Sequence, residues 1–166
     1  MENEIQYGQM NFNLPHDVVP LPSQGLFYAN KKKSVKVAYL TAADENILSS
    51  QNLINTGKVI EELLKRKVLD KDLSVDEIVE EDRQAILIFL RNTAFGSDYK
   101  LTTTDPKTNK EFSVDIDLSE LKLKDFTLEE DTNGEYPFYM EKNKAPITFQ
   151  FLTLKQEKEI DDIKKS

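Results

Sequence analysis

This sequence predicts an α+β fold: an extended amino-terminal arm, a central helical part with one strongly buried helix, then antiparallel β-hairpins and a short final helix. Two periodicities carry that expectation. Between residues 59 and 90 apolar side chains recur at helical spacing, and Ala85-Ile86-Leu87-Ile88-Phe89-Leu90 is apolar all round. After Gly96 the period changes to two: Tyr99, Leu101 and Thr103 alternate with polar residues, as do Phe112, Val114, Ile116 and Leu118. Helices and strands thus occupy separate parts of the chain, whereas a doubly wound parallel sheet would interleave them. At 166 residues the chain can bury a core without staples. Residues 1–34 are expected to be the arm and residues 35–166 a single α+β domain, helical over about 35–97 and β-rich over about 98–166.

In the arm, Pro15, Pro20 and Pro22 each forbid a helix through them. Its apolar content is nevertheless too high for a disordered tail. It therefore lies on a surface, either that of its own domain or that of a neighbouring protein. The second reading makes Phe12, Leu14, Val18, Leu21, Leu26, Phe27 and Tyr28 partner-binding anchors, because the prolines lower the entropy lost on docking. Lys31-Lys32-Lys33 reads as a solvated turn.

Val35, Val37 and Tyr39 alternate with Lys36 and Ala38, which predicts a half-buried strand. Thr41 can cap a helix with Asp44 and Glu45 in its first turn, where the helix dipole favours carboxylates. Ser49-Ser50-Gln51-Asn52 breaks that helix, and Asn55 or Thr56 can cap the next. Val59, Ile60, Leu63, Leu64 and Lys67 form its inward stripe. Ser74 and Glu77 have capping-box spacing, with Leu73 and Ile78 as a hydrophobic staple, and predict a further helix start.

Asp105-Pro106-Lys107-Thr108-Asn109 is a turn signal between two alternating runs, hence a β-hairpin with one wet face. Leu121, Leu123 and Phe126 read as a connection, and Glu129 to Gly134 as a solvated loop. Tyr136, Phe138 and Met140 can pair with Ile147, Phe149 and Phe151 across Lys142-Asn143-Lys144 in a second hairpin. Thr153 and Gln156 form another capping box and open the last helix.

Composition narrows the function. The net charge of −8 argues against a general nucleic-acid binder, which needs a basic face to displace counterions. It favours solubility, or a basic protein partner. No apolar run approaches the roughly 20 residues that cross a bilayer, and the acidic start, Met1-Glu2-Asn3-Glu4, does not read as a secretory signal. With no cysteine there is no thiol nucleophile and no thiolate metal site. The one histidine, His16, lies in the arm, so any metal site would have to be oxygen-rich. Asp115 and Asp117 share a strand face, and strand alternation explains both as solvent-facing. Asp161 and Asp162 are ordinary on a charged helix, and Glu129 to Asp131 lack the calcium-loop pattern. No Gly-rich phosphate loop is present, since the five glycines are scattered singly. No catalytic residue, cofactor or metal is therefore expected. Phe95-Gly96-Ser97-Asp98-Tyr99 reads as a helix end leading into a strand.

Taken in order, several short segments resemble the baseplate hub proteins of T4-like contractile-tailed phages. They are Leu21-Pro22-Ser23-Gln24-Gly25, Leu40-Thr41-Ala42-Ala43-Asp44-Glu45, Ile47-Leu48-Ser49-Ser50, Asp82-Arg83, Arg91 and Phe95-Gly96-Ser97-Asp98-Tyr99. Roughly residues 20 to 120 are covered. The sequence departs from that pattern in carrying Glu81 where a glycine is common before Asp-Arg. It also has an Asp-Pro turn where many relatives have cysteine pairs in the hairpin, so no metal is carried over. The resemblance implies a non-enzymatic baseplate component, either a hub subunit or a hub assembly factor. Such a protein would act through contacts with other tail or baseplate proteins, would be assembled in the host cytoplasm and would be carried in the virion. It implies structural roles for Asp82, Arg83, Arg91, Gly96 and Tyr99. The rival readings are a cytosolic chaperone for another tail protein, absent from the particle, and an enzyme or small-ligand-binding domain using a cleft between the helices and the β part.

Overall fold

The computed structural model describes residues 14–124 and 135–165. Phe12, Phe126 and the acidic loop from Glu129 to Gly134 lie outside the described residues. Helices and antiparallel hairpins make an α+β protein in which every sheet described has two strands.

The core begins with β1 (His16–Pro20) and β2 (Ser34–Ala38), paired antiparallel with Val19 opposite Val35 and Asp17 opposite Val37. Val19, Val35 and Val37 are buried, whereas Val18 is 60% exposed. The sequence shows little of β1, because prolines bracket it. An edge strand tolerates proline at its ends, where a ladder bond is not required. The arm is therefore corrected to part of the domain from β1 onwards: the expected boundary at residue 34 falls inside the first strand pair.

Between the two strands the chain makes tight turns and returns, with the Leu21 N–H donating to the Lys33 carbonyl at 2.8 Å. Gly25 has φ +79°, and a Cβ there would collide with the Lys31 carbonyl, so only glycine fits. Leu21 and Tyr28 are buried in the protein's own core, and Phe27 packs against it. Leu21 and Tyr28, which show no more than 4% of their surface, are corrected from partner anchors to core residues, while Phe27 stays partly buried at the edge of that core. Deleting residues 1–28 would strip β2 of its partner and uncover its valines. The truncated chain is expected to aggregate, or to melt well below the full-length protein in a thermal scan.

Thr41 caps α1 (Ala42–Leu48) through a capping box with Asp44. Ser50 caps α2 (Gln51–Thr56), which ends at the left-handed Gly57. Asn55 and Thr56 thus sit inside α2 and do not cap α3 (Val59–Lys67), which starts at Lys58 without a side-chain cap. α3 turns Leu63, Leu64 and Lys67 inward, but Ile60 remains 40% exposed.

The capping-box spacing at Ser74 yields only a single 3₁₀ turn, Val75–Glu77, with no bond from the Ser74 side chain. The helix is interrupted because Ile78 and Val79 are extended and buried. Val79 bridges to Thr153, and the Ile78 carbonyl accepts from the Leu154 N–H at 3.2 Å. α4 (Glu80–Phe95) then buries one face, Asp82, Arg83, Ile86 and Leu90. Leu87, Ile88 and Phe89 are partly buried, with Leu87 and Phe89 packed against the core, so no residue of the apolar run from Ala85 to Leu90 is exposed.

β3 (Asp98–Thr104) and β4 (Glu111–Asp117) form the first hairpin, with Leu101 opposite Val114. The expected single wet face is corrected here. Tyr99, Leu101, Phe112 and Val114 are 38–47% exposed, so the apolar face meets solvent as well. β5 (Tyr136–Met140) and β6 (Ala145–Phe149) form the second hairpin, with Phe138 opposite Ile147. Beyond β6, Phe151 stacks on Phe27 with ring centroids 4.1 Å apart, and Tyr136 meets both rings edge-on at 5.6 Å. Thr153 and Gln156 complete their reciprocal cap and open α5 (Leu154–Lys165).

Candidate functional site

The segments that stand out in the sequence come together as three polar joints. The first is centred on Asp82, which is fully buried on α4. Its carboxylate accepts from the Ser23 N–H at 2.8 Å, the Ser23 hydroxyl at 2.6 Å and the Tyr28 hydroxyl at 2.5 Å. The Gly25 N–H closes the turn onto the Ser23 hydroxyl at 3.3 Å, and the Val79 N–H donates to the Tyr28 hydroxyl at 3.3 Å. Burial, with the carboxylate of Asp82 alongside, pushes the Tyr28 phenol well above its ordinary range. One carboxylate therefore locks the Leu-Pro-Ser-x-Gly turn to the start of α4. Arg83, the next residue, reaches Glu157 of α5 through one guanidinium nitrogen, at 2.6 and 2.8 Å to the two carboxylate oxygens.

The second joint lies at the far end of α4. Arg91 donates to the Gly96 carbonyl and, at 2.5 Å, to the Asp98 carbonyl. Its guanidinium carbon stands 5.1 Å from the centre of the Tyr99 ring, a cation–π arrangement. Gly96 has φ 80° and ψ 170°, a region open in practice to glycine alone. Arg91, Gly96 and Tyr99 together fix the direction in which β3 leaves the helix.

The third joint was not legible as such. Asp44, fully buried, pairs with the Lys67 ammonium and with Arg66 Nε at 3.0 Å. It also accepts from the Thr41 N–H and hydroxyl at 2.7 and 2.8 Å. Lys67, 3% exposed, donates as well to the Tyr39 carbonyl at 2.9 Å. Its signal in the sequence is a lysine on the inward stripe of α3, which needs a buried anion.

Desolvation raises the Asp44 carboxyl, but the Lys67 ammonium and the Thr41 donors outweigh it and hold the group below its usual range. The folded state thus binds the Asp44 proton less readily than the unfolded state. The stabilisation it gives is present above the ordinary carboxylate value, about 4. It is lost as the pH falls through the lowered folded value. Melting curves at falling pH should show this loss, and Asp44→Asn should flatten that part of the profile while lowering the melting temperature at neutral pH. An unchanged acid slope would place the titrating group elsewhere.

Of the residues read as partner anchors, the structure leaves Leu14 and Val18 exposed, at 41% and 60%, on and beside β1. Leu26 is half-buried in the turn. Among other titratable candidates, His16 Nδ1 lies 2.7 Å from the Leu14 carbonyl, and Asp117 accepts from the Ser119 N–H and hydroxyl. Among the described residues, no three His, Asp or Glu side chains are grouped so as to hold a metal ion. No described helix is long and apolar enough to cross a membrane. An open cleft between the arm turn and α5 has the mutually packed rings of Phe27, Tyr136 and Phe151 on one side and the polar Lys31, Gln150, Thr153 and Gln156 beside them.

The architecture is that of a small α+β protein whose recurring polar residues join its own elements, while its hairpins present uncovered apolar faces. Sequence comparison supplies the class: the family model described as T4 bacteriophage base plate protein matches residues 25–166, and the chain belongs to that family. The match takes in Asp82, Arg83, Arg91 and the Gly96–Tyr99 segment and begins at Gly25 of the first turn. Comparisons with curated proteins and with solved structures found no match.

Proposed function

We propose that this baseplate-family protein is a non-enzymatic component of the tail baseplate, either a hub subunit or a hub assembly factor, and that it works through protein–protein contacts. The observation that carries the reading is the use made of the family-like residues. Ser23, Gly25, Asp82, Arg83, Arg91 and Gly96 are taken up in internal joints. They do not converge on a cleft as acid, base and oxyanion donor would. What faces outward is apolar: Tyr99, Leu101, Phe112 and Val114 on one hairpin, Phe138 and Ile147 on the other. Exposed apolar faces of this kind mark interaction surfaces. Leu14 and Val18 remain candidate contacts on the outer side of β1. The acidic charge favours basic protein partners.

The decisive experiment is quantitative mass spectrometry of purified particles beside the lysate of infected cells. A fixed ratio of this chain to known tail proteins in the particle supports a subunit. Its presence in lysate complexes together with its absence from particles would make it an assembly factor or chaperone. An activity that survives purification and is lost on altering clefts near Phe27 would overturn the non-enzymatic reading.

A further inference from the structure

The outer edge of β4 has the features of a strand acceptor. The Asp105 N–H donates to the Lys110 carbonyl and the Leu118 N–H to the Ser97 carbonyl, both at 2.9 Å, at opposite ends of one antiparallel register. Hydrogen-bonded pairs recur at every second residue of such a ladder. Leu101 and Val114, Thr103 and Phe112, and Tyr99 and Ile116 therefore bond to each other. Glu111, Ser113, Asp115 and Asp117 then turn their backbone N–H and C=O groups outward, along an edge that no other strand among the described residues occupies.

The two faces beside that edge differ in chemistry. One is the uncovered apolar face, on which Phe112 is 47% and Val114 40% exposed. The other carries Glu111, Asp115 and Asp117 on β4, with Lys100 opposite Asp115 but Asp98 directly opposite Asp117. The like-charged Asp98–Asp117 pair is destabilising, and a lone two-stranded hairpin is marginal in water. A third strand bearing the opposite charge would relieve both.

We propose that the outer edge of β4 accepts an extended segment of another protein in which apolar side chains alternate with lysine or arginine. Strand addition satisfies the outward backbone groups. The alternation sets apolar residues beside Phe112 and Val114, and cations beside Glu111, Asp115 and Asp117. The acidic face repels nucleic acid. A second copy docking through its own β4 would set this acid-rich face beside its own like, with Glu111 opposite Asp117 in the fully overlapped register. The chain's own Leu121-Lys122-Leu123-Lys124 has the required alternation, with Leu121 57% and Leu123 48% exposed. It is short, however, against the seven residues of β4. The inference rests on the reading of this chain as a contact-making protein and names one of its contact surfaces.

The test uses the full chain and two synthetic peptides, one alternating lysine with valine and one alternating glutamate with valine, followed by fluorescence anisotropy. The lysine peptide is expected to bind and the glutamate peptide to bind at least about tenfold more weakly. Ser113→Pro removes one outward N–H, leaves the charge unchanged and touches no backbone bond of the hairpin ladder, giving up only the Ser113–Thr102 hydroxyl contact. It should weaken the lysine peptide by about tenfold or more. Asp115→Lys should do the same and stands in for it if the proline variant loses the hairpin. Equal binding by wild type and both variants, equal binding of the two peptides, or no binding of either would overturn the proposal. So would sedimentation showing self-association of the wild type that Ser113→Pro abolishes, because the occupant would then be a second copy. A chain found in particles whose β4 edge binds neither peptide would refute this inference and leave the functional reading standing.

Discussion

Ile86→Asp is expected to leave no cooperative thermal transition. Ile86 is completely buried on the inward face of α4, one helical turn from both Asp82 and Leu90. A carboxylate there would join a packed apolar cluster of Leu21, Leu64, Ile78 and Val79. An unpaired buried charge costs several kcal/mol even after relaxation. The chain would lose its apolar burial as well, and domains of this size have only about 5–15 kcal/mol in total. Phe95→Asp on the same helix is the control. Phe95 is 71% exposed, so that change should shift the melt by no more than about 0.5 kcal/mol. Circular dichroism melts of the two variants decide the matter. A wild-type transition in Ile86→Asp would mean that this face of α4 is not the core.

Asp82→Ala should be the second most damaging single change. It leaves the Ser23 N–H, the Ser23 hydroxyl and the Tyr28 hydroxyl without their acceptor, all in a buried place. Breaking such a network costs about 3–5 kcal/mol, because each stranded donor keeps its desolvation penalty. At this chain length that corresponds to a fall of roughly 6–20 °C in melting temperature. Tyr28→Phe removes one of the three donors and should cost only about 1–2 kcal/mol. The double variant should fall short of the sum, since the two residues share one network. Strict additivity would show that Tyr28 and Asp82 act independently and that the joint is not a unit.

The Asp82 joint also shows where sequence reasoning stops. Local signals were readable because their causes are local. The caps at Thr41 and Thr153, the alternation of β3 and β4, and the turn at Asp105 each depend on neighbours a few residues apart. The family-like segments were visible too, as was the change from helical to strand period at Gly96. The pairing of Ser23 with Asp82 was not, because a turn and a helix start that lie 59 positions apart carry no mutual mark in one sequence. The same holds for Arg83 with Glu157 and for Asp44 with Lys67.

Other differences have the same origin. Ser74 and Glu77 have the spacing of a helix start, yet tertiary contacts of Ile78 and Val79 with the start of α5 hold the chain extended there. From the sequence, the apolar arm lies either on its own domain or on a neighbour. Its apolar content was plain, but whose core it fills depends on Val19 lying opposite Val35, a long-range pairing.

By itself, then, the sequence determined the α+β class, the order of most elements, the local caps and turns, the acidic character and the likeness to phage baseplate proteins. These follow from short-range sterics, side-chain alternation and composition. Only the tertiary structure decided that the arm belongs to the core, that the buried carboxylates Asp82 and Asp44 tie distant segments together, and that both hairpins keep apolar faces in the open. Each of these depends on which surfaces meet, and that is set by the whole chain packing at once.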